Sequence, residues 1–183
     1  EAEYRAALRL DPESEAGRRG LAMLLGRQGR YAAAAEEFAR LVAARPEEVS
    51  HRVGEAMSLL LGERYPAAVA SLEAAVERFP DAASVSLLLA RVLAACPEAS
   101  VRDGERALAL AIGPPGAERT LERAETVAMA LAELGRYEEA AELQRQVVEQ
   151  LEASGAGGGP SLGYLRNYEA GRPVRAPWAA GGA

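Results

Sequence analysis

Apolar residues along this chain fall in short stretches at helical spacing, and proline closes one stretch after another. Over residues 15–48, Leu21 and Ala22 sit inside a first predicted helix, and Ala34 and Phe38 inside a second. Gly29 and Tyr31 mark the turn between them, and Pro46 ends the unit. Residues 49–82 repeat the layout with Ala56, Leu59, Tyr65, Ala68, Leu72, Ala75 and Pro80. Pro12, Pro46 and Pro80 stand 34 residues apart. The turn strings Gly29-Arg30-Tyr31, Glu63-Arg64-Tyr65 and Gly135-Arg136-Tyr137 are nearly the same. A helical beat of this length predicts one helix-turn-helix unit used repeatedly, stacked so that neighbours bury each other's apolar faces. Each slot has a physical reason. Glycine supplies the left-handed turn that stops a helix, and small alanines let helices approach closely. Tyrosine fills space with its hydroxyl near the surface. Proline cannot continue the second helix.

Residues 1–14 supply only a second helix, through Tyr4, Ala7 and Pro12. The unit 83–120 is irregular: after a regular first helix, CPEASVRDGERALALA replaces the short turn, and GPPG at 113–116 ends a short second helix. Residues 121–154 return to pattern through Val127, Ala128, Leu131, Gly135, Tyr137 and Ala140. The array thus spans 1–154, and 155–183 read as a Gly-rich hinge, a short capping helix and an extended tail, GRPVRAPWAAGGA.

Composition narrows the function. Apolar residues make up 49% of the chain but aromatics only 5%, so the core must be built from Ala, Leu and Val, which suits close-packed helices. There is no lysine, and Ile and Asn occur once each, a bias expected of a GC-rich, bacterial genome. A net charge of −6 with acid and base interleaved argues against nucleic acid as a partner. No apolar run reaches the roughly 18–20 residues of a membrane span. The chain opens on EAEYRAAL, already helical, and reads as a piece of a longer protein.

With this layout the chain resembles the tetratricopeptide repeat family over residues 1–154. The usual aromatic near the start of the first helix is replaced by Arg18, Arg52, Ser86 and Ala124. The resemblance implies an all-α fold, an α-α superhelix of stacked antiparallel helix pairs, whose concave face of first helices holds a peptide or protein partner. It places Met23, Met57, Arg91 and Met129 in one slot of that face, and Arg19, Val53, Leu87 and Glu125 in the slot four residues earlier. Three methionines in one slot make either a soft, adaptable groove floor or a half-buried filler. Arg19 and Arg91 either meet an acidic group on the partner or stay solvated. Capture of a C-terminal carboxylate by Lys and Asn, as in some members, is disfavoured without lysine and with the single Asn167 outside the array.

Catalysis or metal binding would need clustered His, Cys or carboxylates, and His51 and Cys96 each stand alone. His51 reads as a surface residue and Cys96 as a small buried filler. The pairs Glu36/Glu37 and Glu138/Glu139 read as solvated helix faces. No catalytic residue, cofactor or metal is therefore expected. The leading expectation is a non-catalytic scaffold for a protein or peptide. A second is self-association, head to tail or as a filament, through Tyr4, Leu8, Tyr164, Tyr168 and Trp178. A third is a regulatory segment of a larger enzyme.

Overall fold

The structure, a computed structural model, describes residues 1–179. Those residues form ten α-helices and one 3₁₀ turn, with no strand among them. The fold class is all-α, built of antiparallel helix pairs, as the spacing predicts. The chain divides into two compact units, Glu1–Val85 and a second that begins at Ser86.

The first unit holds α1 (Ala2–Leu10), α2 (Glu15–Arg27), α3 (Tyr31–Ala44), α4 (Val49–Leu61) and α5 (Tyr65–Arg78), each packed on the next. Ser14 starts α2, its Oγ accepting from the Gly17 N–H at 3.3 Å. Pro12, Pro46 and Pro80 each lie two residues beyond a helix end, at Leu10, Ala44 and Arg78. Here they forbid continuation without costing a hydrogen bond. The short turns close alike: the Arg30 N–H donates to Leu25 O at 2.9 Å and the Arg64 N–H to Leu59 O at 2.8 Å. Both turns need a left-handed residue, supplied by Gly29 (φ 73°) and by Glu63 (φ 57°). A side chain at Glu63 pays a steric penalty of about 1–2 kcal/mol. Glu63→Gly removes it but adds unfolded-chain entropy worth about 0.4–1 kcal/mol. The net expectation is stabilisation by about 0.5–1 kcal/mol, read as a higher urea midpoint at unchanged slope.

Small-residue positions explain the stacking. Ala22, Phe38 and Leu41 form one buried cluster, and Leu21, Leu25 and Ala34, covered by Leu8, form another. The Phe38 ring lies so close to α4 that a Cβ placed on Gly54 would stand 2.4 Å from it. The same lock occurs one beat earlier, where a Cβ on Gly20 would meet the Tyr4 ring at 2.4 Å. An aromatic on α1 and another on α3 thus each seat on a glycine of the next first helix, α2 and α4.

The second unit contains α6 (Ala83–Ala95, whose first residues belong to the first unit), a 3₁₀ turn (Ala99–Val101), α7 (Gly104–Ile112), α8 (Leu121–Glu133), α9 (Tyr137–Ala153) and α10 (Gly159–Glu169). Asp103 and Thr120 start α7 and α8, accepting from the N–H groups of Arg106 (3.0 Å) and Arg123 (3.1 Å). The glycine-rich stretch turns the chain back so that α10 packs along α9. The core here joins Ala128, Leu131, Ala132, Ala140 and Ala141 to Tyr168 of α10 and Val174 of the tail. Gly181, Gly182 and the alanines at 180 and 183, which end the expected tail, lie outside the described residues.

Candidate functional site

In the first unit, α2 and α4 present the expected slots to differing degrees. Arg19 is exposed and forms no ion pair among the described residues, and Met23 is 54% exposed. Val53 and Met57 are half-buried. The four residues give a surface with one open cation beside flexible apolar side chains. A separate groove of about 400 Å³ runs past Glu36, Arg52, Glu55 and Ser71, and involves none of the four.

The second unit treats the same slots differently. Leu87 and Met129 are 4% and 2% exposed, so both are interior residues that no partner reaches while the unit is closed. Arg91 neither waits for an external acid nor stands in solvent. Its Nε donates to Thr126 Oγ1 at 3.3 Å, and its guanidinium lies 3.7 Å from the Glu125 carboxylate. Glu125 in turn accepts from Gln144 Nε2 at 3.3 Å and from the Ser161 hydroxyl. These two slots are therefore spent on holding α6, α8, α9 and α10 together. Burial first, and then the Glu125 charge, push the Tyr164 hydroxyl above its usual pKa range.

One helical turn further along, the same faces carry Ala94 and Ala95 on α6 and Glu133 on α8. Here the structure shows a polar centre that sequence reasoning missed. Glu133 accepts from Arg102 Nε at 2.8 Å and from Arg175 Nη2 at 2.6 Å. All three side chains are largely shielded, so these charge-assisted bonds are strong for their class. Carbonyls at the end of α6 and just past it are satisfied here too. Arg102 donates to Cys96 O (2.9 Å) and Pro97 O (3.1 Å), Arg175 to Ala94 O (3.3 Å), and the Ala176 N–H to Ala95 O (2.8 Å). Two guanidinium groups thus meet the negative end of the helix dipole. The available signal was the lone acid at Glu133, in a slot that holds Arg27, Leu61 and Ala95 in the other repeats.

The residues expected to self-associate are distributed as follows. Tyr4 is 37% exposed with its ring over Gly20, and Leu8 packs on Leu21, Leu25 and Ala34. Tyr164 packs beside the core of the second unit, and Trp178 is half-buried. Tyr168 is 1% exposed, so it is a core residue and offers no surface to a second copy.

His51 is buried, not superficial: its Nε2 lies 3.3 Å from Glu15 Oε1, without hydrogen-bond geometry, because the first turn of α4 lies beside the first turn of α2. Glu37 is not simply solvated, since it pairs with both Arg18 (3.0 Å) and Arg40, and its side chain is 13% exposed. Arg18 also donates to Pro12 O at 2.6 Å, so the residue that replaces the usual aromatic clamps α2 to α3 and to the preceding turn. Cys96 is buried as expected, and desolvation pushes its thiol pKa up. No group of three or more potential metal ligands occurs among the described residues. No helix among them is long and apolar enough to cross a membrane.

Comparison with protein families finds tetratricopeptide repeat models matching residues 1–49 and 53–96, and a further tetratricopeptide repeat model matching residues 126–150. No curated protein matches the chain.

Proposed function

Because the chain belongs to the tetratricopeptide repeat family, whose repeats generally mediate protein–protein interaction, we propose that it is a non-catalytic scaffold that holds a peptide or protein on the face of its first helices. The observation that carries this reading is the α2–α4 surface of the first unit. On these two first helices Met23 is 54% exposed, Val53 and Met57 are half-buried, and Arg19 is exposed with no ion pair among the described residues. Methionine adapts to varied apolar side chains at little conformational cost, and an open guanidinium suits an acidic residue beside them. The surface fits an extended or helical segment that carries an apolar anchor and a carboxylate.

The test is selection of binders from a random peptide display library against the intact chain, followed by Met23→Glu combined with Met57→Glu. Both substitutions place charge on an already accessible face, so helicity should be retained. The selected peptides should then bind at least ~10-fold more weakly, equivalent to about 1.4 kcal/mol. Unchanged affinity for every selected peptide would remove this face from the account.

A further inference from the structure

The stretch after α10 is extended, yet it is bound. It leaves the helix at Gly171, places Val174 in the core at 5% exposure, and aims Arg175 at Glu133. The next residue, Ala176, adopts a left-handed conformation at φ 47°, which a non-glycine residue takes only when its surroundings impose it. In this conformation the N–H of Ala176 donates to Ala95 O at 2.8 Å. Thus a short extended segment is read by an apolar socket, a carboxylate and a row of helix-terminal carbonyls. The socket and the acceptors are supplied by first helices α6 and α8, together with α9 alanines.

We propose that this part of the second unit is a binding site for an extended peptide bearing an arginine between small apolar residues, and that residues 172–178 of this chain are its built-in occupant. The chemistry of the site is selective. The groups that hold the tail are all acceptors: the Glu133 carboxylate, whose other oxygen is taken by Arg102, and the carbonyls of Ala94 and Ala95. A fork of N–H donors spans two of these at once, the Glu133 carboxylate and the Ala94 carbonyl, which an ammonium or a neutral amide does less well, while the backbone N–H of the next residue takes Ala95 O. The residue before the arginine must be small and apolar to enter among Ala128, Leu131, Ala132, Ala140 and Ala141. The residue after it must keep its N–H, which excludes proline there. A partner with this pattern competes with the tail, so the tail sets a threshold for binding in trans. A tethered occupant has a high effective concentration, and loosening it exposes the site. The proposal extends the peptide-binding reading to the second unit and rests on it, but involves none of Arg19, Met23, Val53 or Met57.

The test uses the full chain and a fluorescein-labelled peptide of sequence GRPVRAPWA, followed by anisotropy. Two variants loosen the tail by different means. Arg175→Ala removes the guanidinium; Ala176→Pro removes the N–H and forbids the left-handed conformation. Both should bind the peptide at least ~10-fold more tightly than the wild-type chain, since the resident segment no longer competes. The same peptide with its second arginine replaced by alanine should lose that gain. Adding Glu133→Gln to Arg175→Ala should also abolish it, while circular dichroism reports that the helices persist. Equal binding to wild type and both variants, or no binding to either variant with helicity retained, would overturn the proposal. Failure here with success of the Met23/Met57 experiment rejects this site alone; the reverse leaves the second unit as the binding unit.

Discussion

Tyr168→Ala is expected to destabilise the second unit by about 3–5 kcal/mol, the range for removing a fully buried aromatic whose surroundings collapse only in part. Tyr168 is 1% exposed and joins α10 to the alanines of α8 and α9, so no other side chain can fill the void. The matching substitution Tyr168→Phe is expected to be neutral or to stabilise by up to about 1 kcal/mol. The buried hydroxyl makes no hydrogen bond, and removing an unsatisfied polar atom recovers its desolvation cost. A pH series separates this from simple packing. Burial raises the phenol pKa in the folded chain far above its ordinary 10.0, and the nearby Glu125 charge raises it further. The unfolded chain therefore loses this proton first. Wild-type stability should fall as pH rises above about 10, by about 1.4 kcal/mol per pH unit from this residue. Tyr168→Phe should lack that share of the decline. Urea titrations of the three proteins at neutral and alkaline pH measure all of this. A stable Tyr168→Ala protein would mean that α10 is not a structural part of the unit.

Gly54→Ala is the second large effect. In an exposed helix this change gains about 1 kcal/mol from helix propensity. Here the new methyl would stand 2.4 Å from the Phe38 ring, so either the ring leaves its rotamer or α3 and α4 move apart. Overpacking of this kind costs about 1–3 kcal/mol, which offsets the propensity gain and leaves a net loss of up to about 2 kcal/mol. Phe38→Leu should cost stability in the wild-type background by opening space. Combined with Gly54→Ala it should recover part of the loss. The double-mutant cycle is the readout, with a coupling of at least about 1 kcal/mol expected for groups in direct contact. Additive effects would show that the aromatic-on-glycine lock does not set the spacing between repeats.

Much of the fold was legible because its rules are local. The proline positions, the repeated turn strings and the alanine slots follow from backbone conformations that a few neighbouring residues decide, and the helices start and stop where those residues direct. The recurrence of the lock at Gly20 and Gly54 was present in the sequence as the same 34-residue beat. It becomes visible only when Tyr4 and Phe38 are seen above those glycines. Legibility ended where contacts join residues far apart in the chain. Arg175 meets Ala94 across 81 residues and Glu133 across 42. Neither separation leaves a periodic trace, and a Gly/Pro-rich segment gives no sign of being docked. The same reason explains Arg91, whose acid is Glu125 on the next first helix, and His51, whose burial depends on where the first turn of α2 lies. The methionine slot shows the limit from another side. Its spacing is regular, yet Met23 is open and Met129 enclosed, because exposure depends on what else covers each helix.

On the proposed reading, a first-helix face of this protein holds an extended chain, with its own tail as the resident example. Amide hydrogen exchange at Ala176, resolved by NMR on the intact protein, reports whether that tail is held. The N–H held by Ala95 O should exchange at least ~100-fold more slowly than an open-chain amide, and Arg175→Ala should return it toward the open-chain rate. Exchange at the open-chain rate in the wild-type protein, with the amides of α8 and α9 still protected, would mean that the tail is not docked.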